Sequence, residues 1–396
     1  MMNNTSILGL DLGSNNIYAS VCNVNSDGDL ILKGIGSSLT TGFKKGTITN
    51  PEEARKCVSK AVDRACKDAE VRPQCVISNI PCQGIQFVSN SGIVVSKSTS
   101  GLISAEEKNE CIEKSKRIIK DASQVLLHVN PLYFNVDGKY LQNPVGVKGQ
   151  QLEVKTHIVL GDVQNITSVR DLLSAEGFQI KGLVFDGIAI SHAYLTKEER
   201  MSGAAVLDIG GQFTKLTIYK HDVLYYSQII PIGGDTITRD ISQVLNVTFP
   251  EAERLKILYG QVNVKDINPK ETISITTINR QRKVISKQYL CEIIEARVNE
   301  LIQFISSFIQ DATFSPPFMV LCGKGSQLSG ITNAFEKSLP IRLRIGLPTD
   351  IDTLLPSKDH ALSIGLIYYG LKMGALSMNP PKKWGITSKM KRWFRK

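Results

Sequence analysis

At 396 residues the chain is longer than one hydrophobic core usually supports, so at least two lobes are expected. Its 42% hydrophobic and 21% charged residues exclude the disordered and fibrous classes. The formal charge of +10 is that of a nucleic-acid binder, but seven Lys or Arg lie beyond Pro380 with no acid among them; setting those seven aside leaves +3, so nucleic acid is not an expected partner.

In chain order, apolar patterning predicts strands at Ile7–Leu12, Ile17–Val24 and Leu30–Leu39, a helix over Pro51–Ala69 and a strand at Cys75–Ile80. A strand pair around Gly84–Ser96 follows, then a helix over Ser104–Ala122 and strands at Val125–Asn135 and Leu152–Leu160, read together as an inserted α/β subdomain. The helix Gln164–Glu176 and the strand Ile180–Phe185 return the chain to the first lobe. The opening grammar then repeats: strands Ala204–Ile209, Thr214–Tyr219 and Val223–Ile229, helices Thr236–Leu245 and Pro250–Tyr259, the long helix Lys287–Asp311 and the strand Phe318–Leu321. A helix over His360–Met373 and a linker over Gly374–Pro381 close the chain. Eight cysteines without a C-x-x-C pair or a His at ligand spacing read as buried small hydrophobes in a reducing compartment. The polar Met1–Ser6 stretch and the lack of any apolar window of about 18 residues predict neither a signal peptide nor a transmembrane helix, so the cytosol is expected.

The first strand ends in Gly9-Leu-Asp11-Leu-Gly13-Ser14-Asn15, and the second lobe repeats the pattern as Val206-Leu-Asp208-Ile-Gly210-Gly211-Gln212. A glycine-rich turn exposes successive backbone N–H groups to an anion, and the Asp ending each strand, Asp11 and Asp208, can hold Mg²⁺ through water. Either hairpin alone is better explained as a plain tight turn; the matched pair in separate lobes points to a nucleotide's phosphates. A third glycine-rich stretch, Cys322-Gly323-Lys324-Gly325-Ser326, either opens a helix whose N–H groups face the nucleotide or is a strand-to-helix connection that needs glycine for geometry; Gly233-Gly234 has the same two readings.

In the tail, Ile386, Met390, Trp393 and Phe394 fall at i, i+4, i+7 and i+8, with Lys389, Lys391, Arg392, Arg395 and Lys396 elsewhere around the helix and Trp384 just before it. Such a helix lies in the headgroup plane of an anionic leaflet, gaining on the order of 1 kcal/mol per basic residue plus apolar burial. A solvated basic tail or a helix docking on a partner protein are the alternatives.

These hairpins, together with Val184-Phe-Asp186-Gly-Ile-Ala189, Pro250-Glu-Ala-Glu253-Arg-Leu-Lys256, the inserted His128-Val-Asn-Pro131-Leu-Tyr133 and Asn143-Pro-Val-Gly146, and the tail, resemble the FtsA family of bacterial cell-division actin homologues over nearly the whole chain. The resemblance implies an α/β, actin-like (ribonuclease H-like), two-lobed ATPase fold with an extra subdomain inserted in lobe I. Its parts would be 1–83, 163–195 and 360–373 (subdomain IA), 84–162 (IC), 196–230 and 300–359 (IIA), 231–299 (IIB), a linker at 374–381 and a membrane-targeting helix at 382–396. It further implies bound ATP and Mg²⁺, actin-like filaments, capture of the C-terminal peptide of FtsZ, recruitment of later division proteins, and a peripheral position on the cytoplasmic face of the membrane at the division site. By the same resemblance Asp11, Gly13, Ser14 and Asn15 meet the phosphates from the first lobe and Asp208, Gly210, Gly211 and Gln212 from the second. Glu253 and Lys256 contact ribose or adenine, Gly234, Gly323, Lys324 and Ser326 complete the site, and Arg297 serves peptide capture.

The chain departs from the family pattern at Asn16, where a Lys is usual, at Gln212-Phe213, and at Lys324, which replaces a glycine; these departures imply weaker binding and slow or absent hydrolysis, with no catalytic residue assigned. A pilus-assembly actin homologue docking on a membrane protein's cytoplasmic peptide is the alternative, and a sugar kinase or chaperone ATPase a third reading.

Overall fold

Two strand meanders, each extended by a pair of parallel strands, organise the chain in a computed structural model that describes residues 5–25, 30–97, 100–118, 122–346 and 358–374. It divides into a first unit of Met1–Ala193, Lys220–Tyr226 and Asp350–Lys396 and a second of Tyr194–Tyr219 and Ser227–Thr349.

In the first unit β1 (Thr5–Leu12), β2 (Asn16–Val24) and β3 (Leu30–Leu39) run antiparallel. A short ribbon, β4 (Phe43–Lys44) and β5 (Thr47–Ile48), leads to α1 (Pro51–Ala69). Asn50 starts that helix by accepting the Glu53 N–H on its side chain, Pro51 suits the first turn, and Glu70 ends it in the left-handed region. Its buried stripe, Ala54, Val58, Ala61, Val62 and Ala65, packs with Leu8, Leu10, Ile17, Ala19 and Val21 of the meander. β6 (Cys75–Asn79) then pairs parallel to β1.

The insertion is an antiparallel sheet of β7 (Gln86–Val95), β8 (Gln124–Val136), β9 (Lys139–Leu141) and β10 (Gln151–Asp162) in the order β7-β10-β8-β9, with α2 (Ala105–Ser115) against it. Phe134, Val136, Leu152 and Val154 form its own small core with Cys111 of the helix. Two expectations are corrected here. The strand pair around Gly84–Ser96 is one strand: Asn90-Ser91-Gly92 has turn chemistry, but Gly92 is there to admit α2, since a Cβ would lie 2.0 Å from the Cys111 carbonyl oxygen. The helix foreseen to Ala122 ends at Ser115, where Lys116 and Arg117 turn back with N–H bonds to carbonyls three residues earlier.

From the insertion α3 (Val163–Ala175) leads to β11 (Gln179–Val184), which completes the order β11-β6-β1-β2-β3, and α4 (Asp186–Tyr194) follows. Where the insertion meets this sheet, His128 is buried and accepts the Phe185 N–H on Nε2 at 3.1 Å, while His157 stacks on Phe87. Burial drives both rings down to about 4. Because an unfolded ring titrates near 6.5, the unfolded chain binds more protons than the native one between those values, so stability is full above about pH 6.5 and is lost as pH falls toward 4. Each ring is expected to cost roughly 2 kcal/mol between pH 7 and pH 5. Urea midpoints at the two pH values check this; equal midpoints contradict it.

The second unit repeats the scheme. After α5 (Lys197–Ser202), the strands β12 (Ala204–Ile209), β13 (Thr214–Lys220) and β14 (Val223–Ile230) form the meander, its Lys220–Tyr226 stretch belonging to the first unit. Helices α6 (Gly234–Leu245) and α7 (Phe249–Tyr259), the hairpin β15 (Thr272–Thr276) and β16 (Arg282–Ser286), and α8 (Lys287–Asp311) follow. The parallel strands β17 (Phe318–Cys322) and β18 (Arg342–Ile345), joined through α9 (Ile331–Ser338), give the order β14-β13-β12-β17-β18, the same arrangement as in the first unit. Instead of a helix opening at Lys324 there is a single 3-10 turn, Lys324–Gln327; Leu328 then takes an extended conformation before α9. The last described helix, Ala361–Lys372, buries Ser363 and Ile367 against Gly9 of β1.

Seven of the eight cysteines are buried free thiols and Cys75 is half-buried. Burial pushes Cys22 up to about 12 and Cys111 up to about 11. Among the described residues no helix is long and apolar enough to cross a membrane, and no three His, Cys, Asp or Glu side chains gather as a metal cluster.

Candidate functional site

In the first unit Asp11 opposes Tyr18 and Leu12 opposes Ile17, which leaves Gly13, Ser14 and Asn15 in the turn between β1 and β2. Gly13 is needed there, because a Cβ would lie 2.4 Å from the Asn16 carbonyl oxygen. Thr40 closes the loop, its N–H donating to the Asn15 carbonyl at 3.0 Å and its Oγ1 to that of Gly13 at 2.8 Å. Asn79, buried at the end of β6, donates from Nδ2 to Asp11 Oδ1 at 3.1 Å and accepts the Leu12 N–H at 2.7 Å. The Asp11 carboxylate is thereby fixed at the strand's carboxyl end, where parallel α/β sheets bind ligands.

The second unit gathers three glycine loops around the end of β12. Gly234 N–H donates to the Gly210 carbonyl at 2.9 Å and Asp235 N–H to that of Gly211 at 2.8 Å, joining the hairpin turn to the start of α6. Gly233 has no room for a side chain, since a Cβ would stand 2.4 Å from the Gly211 oxygen. Gly323, at φ +79°, lies so close that a Cβ would reach Asp208 Oδ1 at 2.4 Å and the Ile209 oxygen at 2.5 Å. Ser326 is buried and donates to the Gly323 carbonyl at 2.7 Å, whereas Lys324 is exposed. From α7, Lys256 Nζ donates to the Gly234 carbonyl at 3.0 Å and to Thr238 Oγ1 at 2.8 Å and pairs with Glu253 at 2.7 Å.

Gly210, Gly211, Gly234, Glu253 and Lys256 are thus linked by direct contacts, and Gly323 and Ser326 join them through Asp208. Gln212 Oε1, at the hairpin tip, is buried without a hydrogen-bond partner among the described residues. The three loops pack backbone against backbone, since a Cβ at Gly233 or Gly323 would meet carbonyl oxygen, while the Gly210, Gly234 and Asp235 N–H groups already donate to carbonyls. A divalent ion does not fit at Asp208: its Oδ2 is ion-paired with Lys215 Nζ at 3.1 Å, both side chains are about nine-tenths buried, and Gly323 covers Oδ1. The neighbouring Cys322 thiol is held well above its usual value by burial, with the Asp208 charge adding and Lys215 opposing.

Arg297, on α8, grips Asp240 of α6 with two bonds, Nε to Oδ2 at 2.6 Å and Nη2 to Oδ1 at 3.0 Å, and also bonds Glu300. The tail residues Trp384, Ile386, Lys389, Met390, Arg392, Trp393, Phe394 and Arg395 lie outside the described residues, as does the linker after Gly374.

Sequence comparison supplies the family. Residues 205–365 match the profile of Cell division protein FtsA, and residues 82–160 that of the SHS2 domain inserted in FTSA. The chain is 30% identical to the Cell division protein FtsA of Borreliella burgdorferi over 416 aligned positions, covering 100% of this chain and 99% of that one. It belongs to the FtsA family. The FtsA of Pseudomonas aeruginosa is similar too, at 26% identity over 98% of this chain and 97% of its own.

As in other actin-like folds, this FtsA chain superposes on solved structures of low identity. A PilM-PilN type IV pilus biogenesis complex gives a TM-score of 0.67 at 17% identity, covering 92% of this chain and 98% of that one. MreB5 of Spiroplasma citri bound to ADP gives 0.55 at 13%, covering 94% and 97%. These likenesses establish the actin-like architecture, and the profile match over residues 82–160 gives its inserted SHS2 domain. They do not favour the pilus reading, because 17% identity carries only the fold.

Three side chains around the two hairpins escaped the sequence reading. Lys215 was within reach of it: a hairpin closing after Ile209 and reopening at Thr214 puts residue 215 opposite 208. Asn79 could have been found as the last residue of a strand parallel to β1. Thr40, far along the chain at the end of β3, left no local signal.

Proposed function

We propose that this protein is an ATP-binding cell-division scaffold that forms actin-like filaments, holds the C-terminal peptide of FtsZ and recruits later division proteins at the inner face of the membrane. The observation that carries the nucleotide part is the meeting of three glycine loops at Asp208 and Ile209 beside the unpaired Gln212 Oε1. On this reading Gly13, Ser14 and Asn15 in one unit and Gly210, Gly211 and Gln212 in the other hold phosphate, and Gln212 needs only an amide flip to present N–H. Glu253 and Lys256 meet the ribose or adenine, beside Gly234, Gly323, Lys324 and Ser326, and Asp11 faces any Mg²⁺ that arrives with the phosphates.

The subdomain boundaries given above, and the tail 382–396 as the lipid anchor, are part of the same proposal. Peptide capture is assigned to the α6–α8 region, where Val244, Ile257, Leu258, Ile278 and Val284 are all at least half exposed and where Asp240 would have to share Arg297 with an incoming carboxylate. A ligand that binds only the native state stabilises it by mass action, about 2.7 kcal/mol at a hundred times its Kd. ATP is therefore expected to raise Tm in a concentration-dependent way by several degrees; an unchanged Tm across adenine nucleotides removes the nucleotide reading.

A further inference from the structure

The hairpin that carries Asp208 brings its own cation. In the antiparallel register Lys215 stands directly opposite Asp208, and the ammonium reaches Oδ2 at 3.1 Å. Only 11% of the lysine side chain and 10% of the aspartate side chain remain accessible. The carboxylate's other oxygen lies under Gly323, where even a methyl group would come within 2.4 Å.

Magnesium held through water needs an open carboxylate and room for most of an octahedral hydration shell. Neither is present at this strand end, and a dication there would face the Lys215 charge at close range. An ammonium, by contrast, has three N–H donors and a compact charge, and it can bridge a carboxylate and a phosphate oxygen much as a metal ion does. The pair is also preassembled, so a ligand that meets it finds the positive charge in position.

We propose that Lys215 replaces a divalent cation in the second hairpin, so that nucleotide affinity in this protein is nearly independent of Mg²⁺. The inference rests on the nucleotide reading of the site and adds its charge chemistry.

The test is isothermal titration calorimetry of the full chain with ATP, in excess Mg²⁺ and in excess EDTA. Wild-type Kd values are expected to agree within about threefold, because the charged contact is supplied by the protein. Lys215→Met is expected to weaken binding in EDTA by roughly tenfold or more, the loss of one charged hydrogen bond, and to recover part of it in Mg²⁺. Since that variant leaves Asp208 buried and uncompensated, the double variant Asp208→Asn/Lys215→Met, which has no orphan charge, is measured beside it and is expected to bind as weakly in EDTA. Wild-type binding that needs Mg²⁺ overturns the inference and leaves the nucleotide reading intact, as does undiminished binding by the double variant in EDTA. No heat from the wild type in either buffer ends both.

Discussion

Removing residues 382–396 is expected to abolish sedimentation of the protein with phosphatidylglycerol vesicles. Five basic residues from Lys389 onward lie among Met390, Trp393 and Phe394, and both tryptophans of the chain are in this stretch. At about 1 kcal/mol per basic residue near an anionic surface, before any apolar burial, the tail supplies several kcal/mol, a factor of a thousand or so in partitioning. Replacing only Trp393 and Phe394 by Glu removes the apolar half and repels the surface, and is expected to have the same result. Raised salt should weaken what the basic residues contribute and spare the apolar part. Unchanged pelleting of either variant would remove the tether from the proposal while leaving the nucleotide site untouched.

The second large effect lies at Gly323. Its φ of +79° is already unfavourable for any side chain, and a Cβ would meet Asp208 Oδ1 at 2.4 Å and backbone oxygen at 2.5 Å. Gly323→Val is expected to cost at least about 3 kcal/mol and to eliminate the ATP-dependent rise in Tm, because relief requires β12 and β17 to separate where the phosphate cradle is built. Gly146 supplies the control. It has a similar φ of +81° with nothing within 4 Å of the added carbon, so Gly146→Ala isolates the backbone cost, about 1 kcal/mol. Comparable urea midpoints for Gly323→Val and Gly146→Ala would show that the Asp208 contact is unimportant.

Much of the architecture could be read from residue order because each meander alternates on a half-buried face and each glycine hairpin ends a buried strand. Leu8, Leu10, Ile17, Ala19 and Val21 declare the first such face, and Lys287–Asp311 was legible as one helix from its repeated apolar stripe. The hairpin β15–β16 left a weaker trace: Arg282, Lys283 and Val284 are exposed, so that strand has little apolar face to betray it. The stretch Gly84–Ser96 reads as a strand pair in sequence, but Gly92 within it serves a close helix contact that only the packed position of Cys111 reveals.

At the site, the loops were legible and their partners were not. Asp11 and Asp208 announce themselves by spacing, but Asn79 and Thr40 reach the first turn from distant strands, and such contacts exist only after the sheet has formed. Arg297, assigned to peptide capture by resemblance alone, is held by two bonds to Asp240 that nothing local in the sequence announces.

The burial of the cysteines has a practical consequence. Alkylating dyes react with thiolates, and the raised titration of Cys22, Cys66, Cys111, Cys291 and Cys322 keeps these groups protonated as well as covered at neutral pH. With Cys75→Ser the native background becomes small, and single cysteines introduced at exposed positions such as Val95 and Val284 can carry a donor and an acceptor. Energy transfer between them can then be recorded with the buried native thiols left in place.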